Sequence, residues 1–376
     1  MNILLIDINK SILVQRIALL IVLLISLFFL ICLEHTALPL TKDGVHFQEW
    51  SSDTMWQTLE SSGLRKHPFK SLWYLHKQPP LYDAVRDLLI GCLNKVPDNV
   101  LLSRLDQLIY YVWAFIYCLM VVMVYQWLSQ LTSFRFAFYL SMAWILHPAP
   151  IFYATYLDSP ILCSLGVLWL FYELWLFYSK QGSIIRLSAC ALLLFYLRAS
   201  CQWYFFFLLA GCLILMRIPR RQVVKFVLIC MLLVAPYIAK QYCLFRVTGA
   251  TFVGMHFYYL IAGDSLPQKE FGLIADSIPW TYPKEAFLSV GRWNTKKDWQ
   301  ESWAYHRLAY KYLKDHPSEA FRNIARTFFI YNWPDYWRPS ATFEPNVAVS
   351  LLPWEKIFNQ YLSYPSDFLI LVLAFF

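Results

Sequence analysis

Apolar residues run in long unbroken stretches along this chain, separated by polar segments of very unequal length. The apolar runs fall at 17–33, 106–131, 134–152, 160–178, 184–198, 200–216 and 223–245. Each approaches the roughly 20 residues that an α-helix needs to cross about 30 Å of hydrocarbon. A terminal run, "FLILVLAFF", is too short to span and reads as the start of a further membrane helix over 366–376. Two polar segments stand out, 34–104 and 246–365. The pattern predicts an all-α polytopic membrane protein. Residues 1–245 form a transmembrane helix bundle with the first loop inside it, and 246–365 form an outer domain. Both large loops are expected to be extracytoplasmic and to carry amphipathic helices.

Periodicity within the loops supports this. "HKQPPLYDAVRDLLIGCL" places two prolines ahead of an amphipathic pattern, so a helix starts there. "ESWAYHRLAYKYLKDHPSEAFRNIARTFFIYNW" reads as two helices broken at His316–Pro317. The second, from about Ser318, is amphipathic and aromatic and suits a membrane surface.

Charge then orients the bundle. With the N-terminus cytosolic, the short inner connections carry Arg135, then Lys180 and Arg186, then Arg217, Arg220, Arg221 and Lys225. Basic residues on alternate short loops mark the cytoplasmic side. The short outer connections are 148–159 and a tight turn near Arg198–Ser200. The only sequon, Asn9-Lys10-Ser11, falls on the cytosolic side and is expected to be silent.

Composition agrees. The chain is 59% hydrophobic and 19% aromatic but only 15% charged, against roughly 25% in soluble domains. The net charge of +8 is spread over short loops rather than one stripe, which argues against nucleic acid. The nine cysteines include no CxxC pair, and most lie inside apolar runs as small buried hydrophobes.

Three outer segments hold the candidate chemistry. "TKDGVHFQEW" supplies Asp43 and His46, with Asp53 shortly after. "LHKQPPLYDAV" supplies His76 and Lys77, and "HPAPIFYATYLDSPIL" supplies Asp158. Arg198, Lys240 and Arg246 fall near the same predicted surface. Each also has a plainer role. Asp43, Asp53 and Asp158 suit turns or helix caps. His76, Lys77 and Arg198 suit anchoring at headgroups. Glu173, inside a predicted span, should be paired. A divalent metal could sit among the carboxylates and His46, but no metal-specific ligand spacing is present.

This arrangement resembles the glycosyltransferase C superfamily, which includes lipid A aminoarabinose transferases, protein O-mannosyltransferases and GPI mannosyltransferases. The likeness rests on Asp43-Gly44-Val45-His46-Phe47 opening the first outer loop, on the His76 to Leu81 element, and on Leu157-Asp158-Ser159-Pro160 before the fourth span. "YKYLKDHPSEAFRN" is similar to a helix–His-Pro–helix unit of some bacterial members. Two departures are visible. Gly44 follows Asp43 where many members have a second acid, and Gln78 separates Lys77 from the prolines. The resemblance implies a polyprenyl-phosphate sugar donor, a glycan, lipid or protein acceptor, and inversion at the anomeric carbon. It implies a carboxylate base on the acceptor hydroxyl, with Asp43 first, Asp53 second and Asp158 beside them. His46 would shape the sugar pocket. His76, Lys77, Arg198, Lys240 and Arg246 would meet the sugar or the lipid phosphate. The alternatives are a polytopic lipid or sugar transporter, which would place ionisable groups near the membrane midplane, and a membrane acyltransferase or inactive scaffold.

Overall fold

The structure, a computed structural model, describes residues 13–28, 51–53, 58–146, 157–263, 267–288 and 294–331. Asp43 and His46 lie outside the described residues, as do Asn9–Ser11 and the terminal run. All regular structure among the described residues is helical. In chain order the helices are α1 (Leu13–Phe28), α2 (Ser61–Lys66), α3 (Pro68–Trp73), α4 (Leu81–Cys92), α5 (Asp98–Leu131), α6 (Phe134–Leu146) and α7 (Pro160–Tyr178). There follow α8 (Ile184–Leu197), α9 (Tyr204–Leu215), α10 (Arg220–Phe245), α11 (Val253–Ala262), α12 (Gln268–Asp276), α13 (Lys296–Asp315) and α14 (Pro317–Tyr331), with a 3-10 turn at Lys284–Leu288.

The chain divides into two compact units. Within the described residues the first holds 13–28, 51–253 and 279–299, and the second holds 254–278 and 300–331. Residues 246–253 and 279–299, expected in the outer segment, thus pack with the bundle. The reason is a set of hydrogen bonds to residues 74–77, described below.

The first unit is built from short-turned pairs. α5 packs on α6, α7 on α8, and α9 on α10, while α7 also meets α5 and α8 also meets α10. Phe195 of α8, Phe206 of α9 and Phe226 of α10 close the core of α7–α10, and each is fully buried. Outward residues of the same helices are apolar too: Leu232 is 74% exposed and Leu215 84% exposed. A helix apolar on all sides belongs in a large core or in lipid. Among the described residues, α5, α7 and α10 are long and apolar enough to cross a membrane. α8 and α9 were expected to span as well. They have 14 and 12 residues, or about 21 and 18 Å of helix, and the chain between them, Arg198–Gln202, is not helical.

The ends of the bundle differ in charge. Arg198 at the end of α8 meets Ser159 before α7, and Trp113, in the first half of α5, reaches the Asp158 carbonyl. These points mark one end. The turns carrying Lys180 and Arg186, and Arg217 to Arg221, lie at the other. There the Arg186 Nε donates 2.7 Å to Glu173, whose side chain is buried, so the intrahelical carboxylate has its partner. Lys180 and Arg217 close their helices with φ of 60° and 58°. The following amides, Gln181 and Ile218, reach back to the Leu176 and Leu213 carbonyls, as in a Schellman stop. A cation there also meets the negative end of the helix dipole.

The second unit packs α11, α12, α13 and α14 around Tyr258, Ile261, Leu308 and Ala309. The break expected at His316–Pro317 is present, and Asn323 then ties α14 to the Ile261 carbonyl at 2.9 Å. α11 approaches α13 closely at Gly254, where an added Cβ would lie 2.5 Å from the Ser302 carbonyl oxygen. In α12, by contrast, Gly272 faces open space. Gly254→Ala should therefore cost about 1–3 kcal/mol by overpacking. Gly272→Ala should stabilise by up to about 1 kcal/mol through helix propensity. Thermal unfolding of the two variants checks the contrast.

Candidate functional site

Two polar clusters lie in the first unit, one around Arg86 of α4 and one around residues 74–77 between α3 and α4. The first surrounds Arg86. The sequence "LYDAVRDLL" sets Asp83 and Arg86 three apart on α4, hence on one face. That face is turned inward, because α4 packs against α2, α3, α5 and α8. The Arg86 side chain is fully buried. Its Nη1 donates to the Leu59 carbonyl at 2.6 Å and to Asp83 at 2.8 Å. Its Nη2 donates to Ser52 Oγ at 3.3 Å and to Asp53. Burial works against the Arg86 charge, but Asp83, Tyr82 and Asp53 outweigh it, so the guanidinium holds its proton more firmly than usual. Burial raises the Asp83 carboxyl, and Arg86 pulls it part of the way back.

Asp53 is fixed at the rim of this cluster. It accepts the Ser61 amide at 2.8 Å and the Ser61 hydroxyl at 2.8 Å. It thus caps the first turn of α2 from outside the helix, which is the plainer of its two expected roles.

Asp158 sits on the other side of the cluster. Tyr82 donates its hydroxyl to the Leu157 carbonyl at 2.5 Å, and Trp113 donates to the Asp158 carbonyl at 3.0 Å. These bonds pin the backbone from both flanks. The side chain does not cap α7; it accepts the Ser159 amide at 2.5 Å. The residue is half-buried. Burial raises its carboxyl above the ordinary range, against the opposing pull of Ser159, Arg198 and Arg86. Arg198 is exposed, and its one described hydrogen bond, to Ser159 Oγ, is 3.3 Å long. A half-buried carboxylate of raised basicity beside an exposed guanidinium can take a proton and face an anion.

The second cluster contains three of the expected substrate-binding residues in a structural setting. The His76 and Lys77 amides both donate to Asn294 Oδ1, at 2.9 and 3.1 Å. The carbonyls of the same two residues accept from Thr251 and Phe252 at 2.8 and 3.1 Å. The Leu75 carbonyl accepts from Lys240 Nζ at 3.2 Å and Gln241 at 3.0 Å. His76 is fully buried between the Thr251 and Tyr282 hydroxyls. Burial holds its imidazole well below the ordinary value, and Lys77 and Lys240 push the same way. It is therefore neutral. Lys77 pairs with Asp298 at 3.0 Å, and both side chains are nearly buried.

So the structure brings Asp53 onto Arg86, sets Asp158 and Arg198 together across Tyr82, and gathers His76, Lys77 and Lys240 into a separate buried strut. Arg246 joins neither. It is exposed, with φ of 57°, and stacks over Tyr242. Tyr82, Asp83, Arg86 and Asn294 were not among the residues expected at the site. The Asp83–Arg86 spacing was visible, but it looks the same on a solvated helix face. Among the described residues no group of three or more His, Cys, Asp or Glu is placed to hold a metal ion.

The strut can be tested through Asn294. Asn294→Ala leaves two buried amides without an acceptor, at about 1–3 kcal/mol each. Asn294→Asp keeps the accepting oxygen and should cost clearly less. Denaturation in detergent, followed by helix content, checks the order.

No family model matches the chain, and no curated protein and no solved structure matches it.

Proposed function

We propose that this protein is a membrane glycosyltransferase, with a bundle of glycosyltransferase C type, that moves a sugar from a polyprenyl-phosphate donor to an acceptor hydroxyl at the extracytoplasmic surface. Asp158 is the observation that carries this. Its carboxyl is half-buried and raised by burial, it is held by its flanks rather than by its own function as a cap, and Arg198 stands beside it. The basic turns at the opposite end of the bundle support an outward orientation for this end.

In this reading the Asp158 carboxylate takes the proton of the acceptor hydroxyl as its oxygen bonds to the anomeric carbon. The bond from that carbon to the phosphate oxygen breaks, and its electron pair leaves on the lipid phosphate. A carboxylate of raised pKa is a stronger base than a free one. The departing phosphate gains charge, which Arg198 can meet with its planar donor fork. Asp53 is occupied in capping α2 and in Arg86, so it is a support rather than the base. Asp43, the first choice from the sequence, is the rival for the same role.

One observation favours a transporter instead. α10 carries Pro236 within the helix and the buried Lys240 one turn later, and interrupted helices with buried charge are common at transport sites.

Transfer from a purified polyprenyl-phosphate sugar separates these readings. Asp158→Asn should lower turnover by about 10²–10⁴-fold while donor binding persists. Asp53→Asn should act mainly on stability. If Asp43→Asn is inactive and Asp158→Asn active, the base lies in the first loop. If every variant matches the wild type, or if the wild type moves labelled lipid without transferring sugar, the glycosyltransferase reading fails.

A further inference from the structure

We propose that the outward face of α2 and α3 is a docking surface for the anionic phospholipid headgroups of the membrane that the bundle crosses. The segment Ser61–Trp73 carries Arg65, Lys66, His67 and Lys70 and no acidic residue. Arg65 is used internally: it bonds Asp98 and the Asn94 and Val96 carbonyls. Lys66, His67 and Lys70 are exposed and form no ion pair among the described residues. Beside them, Phe69 is 74% and Trp73 44% exposed, and their rings stack 5.9 Å apart.

The depth of this face follows from the helices that it touches. α5 has 34 residues, or about 51 Å of helix against about 30 Å of hydrocarbon. Its ends therefore stand outside the apolar layer, and Asp98, in its first turn, holds Arg65 of α2 there. The Trp73 ring lies 6.0 Å from the Nζ of Lys240, five residues before the end of α10. So α2 stands outside the hydrocarbon while the far end of α3 lies at its edge. Stacked aromatics at that edge are interfacial anchors. Lysines just beyond them meet lipid phosphates. A basic face whose lysines form no ion pair among the described residues is complementary to an anionic headgroup layer. This holds whichever reaction the protein performs.

The test is hydrogen exchange of the full chain in nanodiscs of phosphatidylcholine alone and of phosphatidylcholine mixed with phosphatidylglycerol. Amides of residues 61–73 should exchange about 10-fold more slowly, or slower still, in the anionic discs. The difference should vanish in high salt and in Lys66→Glu/Lys70→Glu, and persist in Lys66→Arg/Lys70→Arg. Unchanged exchange in the core of α5 shows that the variants are folded. Lys66→Gln/Lys70→Gln replaces the reversal variant if they are not. Equal exchange in the two disc types, or a lipid effect that survives charge reversal, overturns the proposal. Protection by dilute polyprenyl phosphate but not by phosphatidylglycerol also overturns it, and would assign the face to the donor lipid.

Discussion

A guanidinium sealed inside a helical bundle has to find acceptors, because removing it from water costs several kcal/mol even after relaxation. Arg86 meets this constraint at its two Nη atoms, with the Leu59 carbonyl, Asp83, Ser52 and Asp53, while its buried Nε has no hydrogen-bond partner among the described residues. These partners come from the segment before α2 and from α4 itself. Satisfying one cation therefore fixes how the first loop folds onto the bundle. It fixes α2 as well, since Asp53 cannot leave Arg86 without uncapping Ser61. Asp106 of α5 holds the Ser52 amide at 3.1 Å, which ties the same segment to the long helix. The carboxylates nearest Arg86 are thereby committed to structure. Asp158, on the far flank of Tyr82, is the one with a raised carboxyl and an exposed cation beside it.

The buried strut divides labour in the same way. His76, Lys77 and Lys240 looked like ligands for a phosphate because they are basic and close to the predicted surface. Their charges and backbone are instead spent on holding 74–77 against 251–252, Asn294 and Asp298. A neutral imidazole between two hydroxyls, and an ammonium already facing a carboxylate, are poor recruits for an anion. Arg198 is different, because its guanidinium faces outward and its described hydrogen bond is long.

Much of the fold was legible because hydrophobic run length and proline position act locally. The long helices α5, α7 and α10, the start of α4 after Pro80, and the break at His316 all follow from such signals. The turn near Arg198–Ser200 was legible; what was not is that the second helix starts only at Tyr204, which leaves α9 with 12 residues. The site was legible in its parts and not in its assembly. Asn294 reaches His76 across 218 positions, and no local pattern announces a contact at that separation. The inward face of α4 was hidden for a related reason, since Asp83 and Arg86 are polar and only the packing of neighbouring helices shows that they are buried.

The central claim is that the Asp158 carboxyl lies half-buried, with a raised pKa that Arg198 holds down in part. Carbodiimide modification of protonated carboxyls, followed by peptide mass spectrometry across pH, measures this directly. Asp158 should remain reactive to a higher pH than a free carboxyl, because burial raises it. In Arg198→Gln the cation that lowers it is gone, so the reactive range should extend to higher pH still. An Asp158 profile in the ordinary carboxyl range, or one that Arg198→Gln leaves unmoved, would contradict the account.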